Sequence, residues 1–190
     1  MKHRSQGYLV TAVNMLSEQR RSSDTLELES ALLKTEKRIR ALSSVSAALN
    51  RKDFNQINFK ILITDLVEDL TFKYDKALVK KINVSDLDLD NHQIISLALI
   101  TNELVFNSLK YAFNNIKTAE ISLSIIDKKD KIYFKYRDNG SGLDGTIKGT
   151  GEGRQLISDF VRQVHGKAKE NSVQGYSFQF EFDNTFSYAK

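Results

Sequence analysis

The sequence predicts an α+β protein in two parts: an antiparallel helical hairpin over residues 1–52 and an α/β sandwich over residues 53–190. Three observations predict it. Residues 28–49 carry a seven-residue apolar repeat, the signature of packed helices. Three stretches between residues 119 and 183 alternate apolar and polar side chains, as half-buried strands do. The apolar stretches between and before them recur at helical spacing, so helices cover one face of an antiparallel or mixed sheet. Proline is absent, so no ring interrupts a long helix.

Taken in order, residues 1–21 place Leu9, Ala12, Val13 and Leu16 on one helical stripe. Ser22, Ser23 and Asp24 make a polar turn, with Ser23 or Asp24 as the cap of the next helix. That helix carries Leu28, Leu32, Thr35, Ile39, Leu42, Ser46 and Leu49 at spacings alternating four and three. Two narrow apolar seams cannot bury each other fully, so a second copy of the hairpin is expected to complete a four-helix bundle in a homodimer. The alternative is a hairpin packed on its own second domain. Residues 51–58 are polar and read as a linker. Residues 59–72 have helical periodicity through Leu62, Leu66 and Leu70, and residues 80–89 read as a strand with a loop. A central helix starts near His92, with Asp90 or Asn91 as its cap. Leu99 and Ile100 break its stripe, which predicts burial all round over the first turns. Residues 119–127 and 131–137 form a strand pair across a polar turn. A glycine-rich loop, residues 139–153, leads into a helix over 154–165 that Gly166 ends. Tyr176, Phe178, Phe180 and Phe182 mark the last strand.

Composition narrows the function classes. The chain is 41% hydrophobic and 27% charged, enough for a packed core in a water-soluble protein. No apolar run approaches the ~18–20 residues of a membrane span, and no signal peptide is visible. Cysteine is absent, which excludes disulfides and thiolate metal sites and fits a reducing compartment. A net charge of +4 is mild. Basic and acidic residues are interspersed without a basic stripe, so nucleic acid is not an implied partner.

The central helix carries the chemistry. At about 100° per residue, Glu103, Asn107, Lys110 and Asn114 fall in one narrow arc, opposite an apolar side. Such an arc on its own is a solvated helix face. The glycines that follow change that reading. Asp138-Asn139-Gly140-Ser141-Gly142 follows a strand directly, and Gly149-Thr150-Gly151-Glu152-Gly153 precedes a helix directly. Glycines let backbone N–H groups approach phosphates, and a helix N-terminus favours their charge. The spacing is that of neither a P-loop nor a Rossmann turn.

At these residues the chain resembles a known family. The stretch ELVFNSLKYAF over residues 103–113 resembles the N box of the GHKL-type ATP-binding domain of histidine kinases. DNGSG over 138–142 and GTGEGRQLI over 149–157 resemble its two glycine boxes. Residues 2–21 are similar to the phosphoacceptor helix of the HWE-related histidine kinases, whose pattern is HHRxKNNLQ followed by a leucine-rich stretch and QRR. The resemblance runs from His3 to Phe182. It implies the core of a two-component sensor histidine kinase that binds Mg·ATP, phosphorylates itself on histidine and passes the phosphoryl group to an aspartate of a response regulator in the bacterial cytoplasm.

Carried over residue by residue, the resemblance implies His3 as phosphoacceptor and Asn107 as the Mg²⁺ ligand. Glu103 would orient a metal-bound water or accept a proton. Lys110 would meet the phosphates, and Tyr111 would pack beside the nucleotide unless it belongs to the core. Asp138 would accept a hydrogen bond from the adenine amino group. Gly140, Gly142, Gly151 and Gly153 would let a lid close over the nucleotide. His92 and His165 are given no chemical role. Gln6, Gly7 and Tyr8 depart from the family's lysine and two asparagines, while Glu152 and Arg154 stand where leucines are usual. Those departures keep a second reading open, a degenerate histidine phosphotransfer or scaffold protein. An ATPase clamp of the same fold ranks last, because it needs a transducer domain for which 190 residues leave no room. No sensory domain is recognisable, so the chain is expected to be part of a longer sensor or a kinase whose sensor lies elsewhere.

Overall fold

A computed structural model describes Thr35, Ile39 and residues 58–114, 116–128, 130–142 and 152–184. Thr35 and Ile39 are helical. The rest of the predicted hairpin seam, His3, and residues 143–151 of the glycine-rich loop lie outside the described residues.

Helix α1 (Phe59–Thr71) starts where Asn58 accepts the Ile61 N–H at 2.9 Å, satisfying a donor that has no partner within the helix. Its buried stripe is Phe59, Ile63, Leu66 and Val67. The predicted Leu62 and Leu70 only border the core, so the stripe is turned from the one that leucines alone suggest. Strand β1 (Leu78–Val84) begins earlier than expected and points Leu78, Lys80, Ile82 and Val84 inward. Lys80 stays on that face because its ammonium pairs with Glu68 of α1 while its methylenes cover apolar surface.

Helix α2 (Asn91–Asn107) opens with a capping box. The Asp90 carboxylate accepts the Gln93 N–H at 2.8 Å, and the Asp90 N–H donates to the Gln93 side chain at 3.0 Å. Of the two caps open from the sequence, Asp90 is the one used. Ile94, Leu97, Ala98, Leu99 and Ile100 are all buried, as the broken stripe predicts. A π-helical turn (Ser108–Ala112) follows directly.

Strands β2 (Ala119–Lys128) and β3 (Lys131–Asp138) meet at a turn in which Asp130 takes a left-handed φ of 64°, a conformation that Asp tolerates better than most residues. Helix α3 (Glu152–Gln163), β4 (Lys167–Asn171) and β5 (Ser177–Asp183) complete the order. The five strands form one sheet, β1-β2-β3-β5-β4. It is mixed: β1 runs parallel to β2, and the other pairs are antiparallel. The parallel pair needs a long crossover, which α2 supplies.

Every second residue of β2, β3 and β5 faces the helices. Cross-strand register puts Leu123, Tyr136 and Phe178 in one row and Ile125, Phe134 and Phe180 in the next. Phe134 and Phe180 stack with centroids 4.9 Å apart. Each such side chain contributes about 1.5–3 kcal/mol of burial, so these rows anchor the sheet. The opposite face is polar and carries exposed ion pairs such as Lys81–Glu120.

Two expectations are corrected. Strand β4, with the sequence KAKEN, is absent from the sequence reading because all five of its residues are exposed; an edge strand without an apolar side shows no alternation. Gly166 does not take the left-handed turn at the end of α3. His165 does, with φ 55°, while the Gly166 N–H closes back on the Val161 carbonyl at 2.9 Å in a Schellman arrangement. A Cβ on Gly166 would stand 2.9 Å from the Phe180 ring, which accounts for glycine there. Among the described residues, no helix is long and apolar enough to cross a membrane.

Candidate functional site

The site forms where α2 loosens. The Ser108 N–H is shared between the Leu104 and Val105 carbonyls, and from there the chain winds in a π turn, a feature that recurs at functional sites. The wider winding changes the predicted arc. Glu103 and Asn107 share it, but the α-helical count no longer extends to Lys110, and Asn114 falls in an exposed turn beyond the helix. The solvated-face reading fails at Glu103, whose relative exposure is 1%. A buried carboxylate needs hydrogen bonds, and the Asn102 amide reaches Glu103 Oε1 at 3.5 Å. The Oδ1 of Asn102 and the Oγ1 of Thr101 are buried without a hydrogen-bond partner among the described residues.

Asn107 is half-buried at the α/π junction, and its carboxamide makes no capping bond into the π turn. Lys110 is also half-buried; its ammonium lies 4.9 Å from the Tyr111 ring centroid and 5.8 Å from that of Phe106. This is cation–π range, worth about 0.5–1 kcal/mol at exposed sites. Tyr111 thus sits beside a cation on a half-buried surface rather than in the core.

Asp138 ends β3, 2% exposed. Its Oδ1 accepts the Gly140 N–H at 3.0 Å and the Tyr176 N–H at 2.9 Å; its Oδ2 accepts the Ser108 hydroxyl at 2.5 Å. Ser108 in turn accepts the Tyr136 hydroxyl at 2.8 Å. Burial pushes the Tyr136 phenol far above its ordinary range, with the Ser108 bond opposing only in part, so its proton stays in place. A carboxylate has about four lone-pair positions; among the described residues, three of those on Asp138 are taken and one is left over.

The glycines hold the loop against this network. A Cβ on Gly140 would stand 2.3 Å from the Ala112 side chain and 2.7 Å from its carbonyl oxygen, and the Ser141 N–H donates to that carbonyl at 3.1 Å. Gly142 has φ +75°, with the Ser172 carbonyl oxygen 2.3 Å from its missing Cβ. Gly175, which the sequence reading did not single out, has φ +79° and lies against the Asp138 carbonyl. Gly153 is buried near the start of α3. Nearby, the Arg154 guanidinium and the Tyr176 hydroxyl both bond Glu170, at 2.8 and 2.9 Å, tying α3 to β4 and β5. Burial, then the charge of Glu170, raises the Tyr176 phenol.

The structure therefore brings Asp138 and Gly140 against the π turn that follows Asn107, with Glu103 one turn behind and Lys110 and Tyr111 within the turn, while Gly142 packs against Ser172 and Gly175 between β4 and β5. His3 and Gly151 lie outside the described residues. Ser108 and Tyr136 were missed. Helical counting puts Ser108 off the arc, but Tyr136 was findable, because strand alternation puts it on the same inward side as Asp138. No cluster of three His, Cys, Asp or Glu side chains could hold a metal among the described residues. Asn107 offers a single neutral oxygen donor, so a hard cation held there would have to draw its other ligands from a bound ligand and water.

Residues 1–74 match the family model HisKA_2, described as histidine kinase. Among solved structures, the chain is similar to the histidine kinase domain from the Erythrobacter litoralis EL346 blue-light activated histidine kinase. The TM-score is 0.71 at 11% identity, over 95% of each chain. Against the longer structure of that kinase the TM-score is 0.78 at 13% identity, over 97% of this chain and 60% of the other. The Acinetobacter baumannii histidine kinase AdeS aligns over 97% of this chain and 99% of its own at 14% identity, with a TM-score of 0.52. None of the curated proteins compared matches. At such identities the structural likeness speaks to the fold. The first 74 residues thus match a histidine kinase model, and the described residues have the mixed α+β fold of histidine kinase catalytic domains.

Proposed function

We propose that the chain is the catalytic core of a two-component sensor histidine kinase: it binds Mg·ATP beside the π turn, phosphorylates His3 and transfers the phosphoryl group to an aspartate of a response regulator. The observation that carries this reading is the meeting of two sequence-distant groups. An uncapped carboxamide, Asn107, lies one residue from the hydroxyl that bonds Asp138, a buried carboxylate with one lone pair to spare.

Asp138 accepts the adenine amino group, which distinguishes adenine from a base with a carbonyl at that position. Lys110 approaches the phosphates as a point charge from its place over Tyr111. Asn107 would hold Mg²⁺, which when bound neutralises charge on the phosphates. Glu103, buried one turn earlier, takes or orients a proton near the phosphates. Gly140, Gly142, Gly151 and Gly153 keep the loop close to the nucleotide. A ring nitrogen of neutral His3 attacks the γ-phosphorus. The new N–P bond forms as the bond to the bridging oxygen breaks, and ADP leaves. The P–N bond then breaks as a response-regulator carboxylate takes the phosphoryl group. Residues 1–52 pair two copies of the chain as a four-helix bundle, residues 53–190 form the ATP-binding domain, and the protein works in the cytoplasm.

Incubation with Mg²⁺ and ATP labelled at the γ-phosphate tests this. The expected result is protein-bound label that is acid-labile, base-stable and absent from His3→Ala. The departures at Gln6, Gly7 and Tyr8 favour the scaffold reading, which predicts no label together with tight binding of a partner. Phosphate release without labelled protein would instead indicate an ATPase clamp.

A further inference from the structure

Resting on Asp138 as the adenine contact, we propose that Tyr136 and Ser108 are positioning residues: a buried hydroxyl chain that fixes the Asp138 Oδ2 lone pair at the adenine amino group and so sets purine selectivity. The chain has one direction. Tyr136 is fully buried and donates to Ser108 Oγ at 2.8 Å. With that lone pair occupied, the Ser108 proton points to Asp138 Oδ2, 2.5 Å away.

The other carboxylate oxygen is fixed independently. Its partners are the backbone N–H groups of Gly140 and Tyr176, at 3.0 and 2.9 Å. Turning the planar carboxylate about Cβ–Cγ moves both oxygens together; the two backbone donors hold Oδ1, and Ser108 adds the hold on Oδ2 that keeps its remaining lone pair in one direction. Polarisation along the chain strengthens the last bond. The remaining Oδ2 lone pair then has a fixed direction, and a hydrogen bond rewards an amino group only where donor and acceptor are aligned. The π turn delivers the hydroxyl, since Ser108 is its first residue and is buried. The register delivers the phenol, since Tyr136 lies two residues before Asp138 on the same face of β3.

The test uses the full chain and two nucleotides, ATP and inosine triphosphate, which replaces the amino group with a carbonyl. Affinities are measured by calorimetry for the parent, Tyr136→Phe and Ser108→Ala. We expect the parent to prefer ATP. In the variants ATP affinity should fall about 3- to 10-fold, the scale of one misaligned hydrogen bond, while inosine triphosphate affinity stays within about twofold. Loss of general packing would lower both affinities together, so a parent-like ratio of the two in both variants overturns the proposal and leaves the Asp138 assignment standing. A parent that binds the two nucleotides equally overturns the adenine assignment itself, and the proposal with it. Tyr136→Phe preserves ring volume, so the comparison does not depend on Ser108→Ala alone.

Discussion

Substituting Gly140 by alanine tests how closely the loop after β3 is pressed onto the π turn. The new methyl would stand 2.3 Å from the Ala112 Cβ, 2.7 Å from its carbonyl oxygen and 2.9 Å from its carbonyl carbon. Carbon atoms in contact sit about 3.5–4.0 Å apart, so the loop must retreat by roughly 1 Å. Two of the three obstructing atoms are backbone, and the third is a Cβ that cannot rotate away. Overpacking of this kind costs about 1–3 kcal/mol. The retreat also stretches the Ser141 N–H bond to the Ala112 carbonyl, now 3.1 Å, adding about 0.5–1.5 kcal/mol. The sum, about 1.5–4.5 kcal/mol, lowers the melting temperature by about 3–18 °C in a domain of this size. Thermal unfolding followed by circular dichroism measures it directly. ATP affinity should fall as well, because the Gly140 N–H is one of the two backbone donors on Asp138 Oδ1. A variant that melts within about 2 °C of the parent would refute the close-packing argument.

Other outcomes follow from single contacts. His165→Gly relieves a left-handed residue at φ 55° and should stabilise by about 0.5–1 kcal/mol, seen as a melting point about 2–4 °C higher; no rise would mean that the turn is unstrained. Asn107→Ala should leave the melting point nearly unchanged, since the side chain caps nothing, yet reduce Mg²⁺-dependent ATP binding about tenfold or more. Equal ATP affinity with and without the side chain would remove Asn107 from the metal. Asp138→Asn should lose about 1–3 kcal/mol of nucleotide affinity and a comparable amount of stability. Its amide nitrogen must face either the backbone N–H groups that now donate to Oδ1 or Ser108, whose own proton would then lose its acceptor. Parent-like ATP binding in that variant would falsify the adenine assignment.

Much of the fold was readable where one physical signal dominated. Phe178, Phe180 and Phe182 alternate so regularly that β5 could hardly be anything else, and the cap of α2 is narrowed to Asp90 or Asn91. Burial of Leu99 and Ile100 against the stripe was also foreseeable, because no amphipathic face has room for them. What escaped detection depends on distant contacts. Strand β4 exists because β5 offers an edge, not because KAKEN prefers a strand. The buried stripe of α1 runs through Phe59 and Ile63 because of what α2 and the sheet present to it. At the site, local spacing put Glu103 and Asn107 on one helical arc, and the end of a strand put Asp138 just before the glycines. Spacing misplaced the residues after Asn107 because a constant angle per residue has no way to register a change of winding. Ser108 was lost with them, since its partner lies thirty residues away.

That change of winding has a consequence for how the site comes into being. A π turn is intrinsically poorer than the α-helix it replaces, and the segment SLKYA contains nothing that demands it. Cut out as a peptide, residues 91–113 would wind uniformly, carrying the serine away from the direction it takes here. The direction of the Ser108 hydroxyl is therefore tied to its partners on the sheet, Asp138 and Tyr136, rather than to the helix's own sequence.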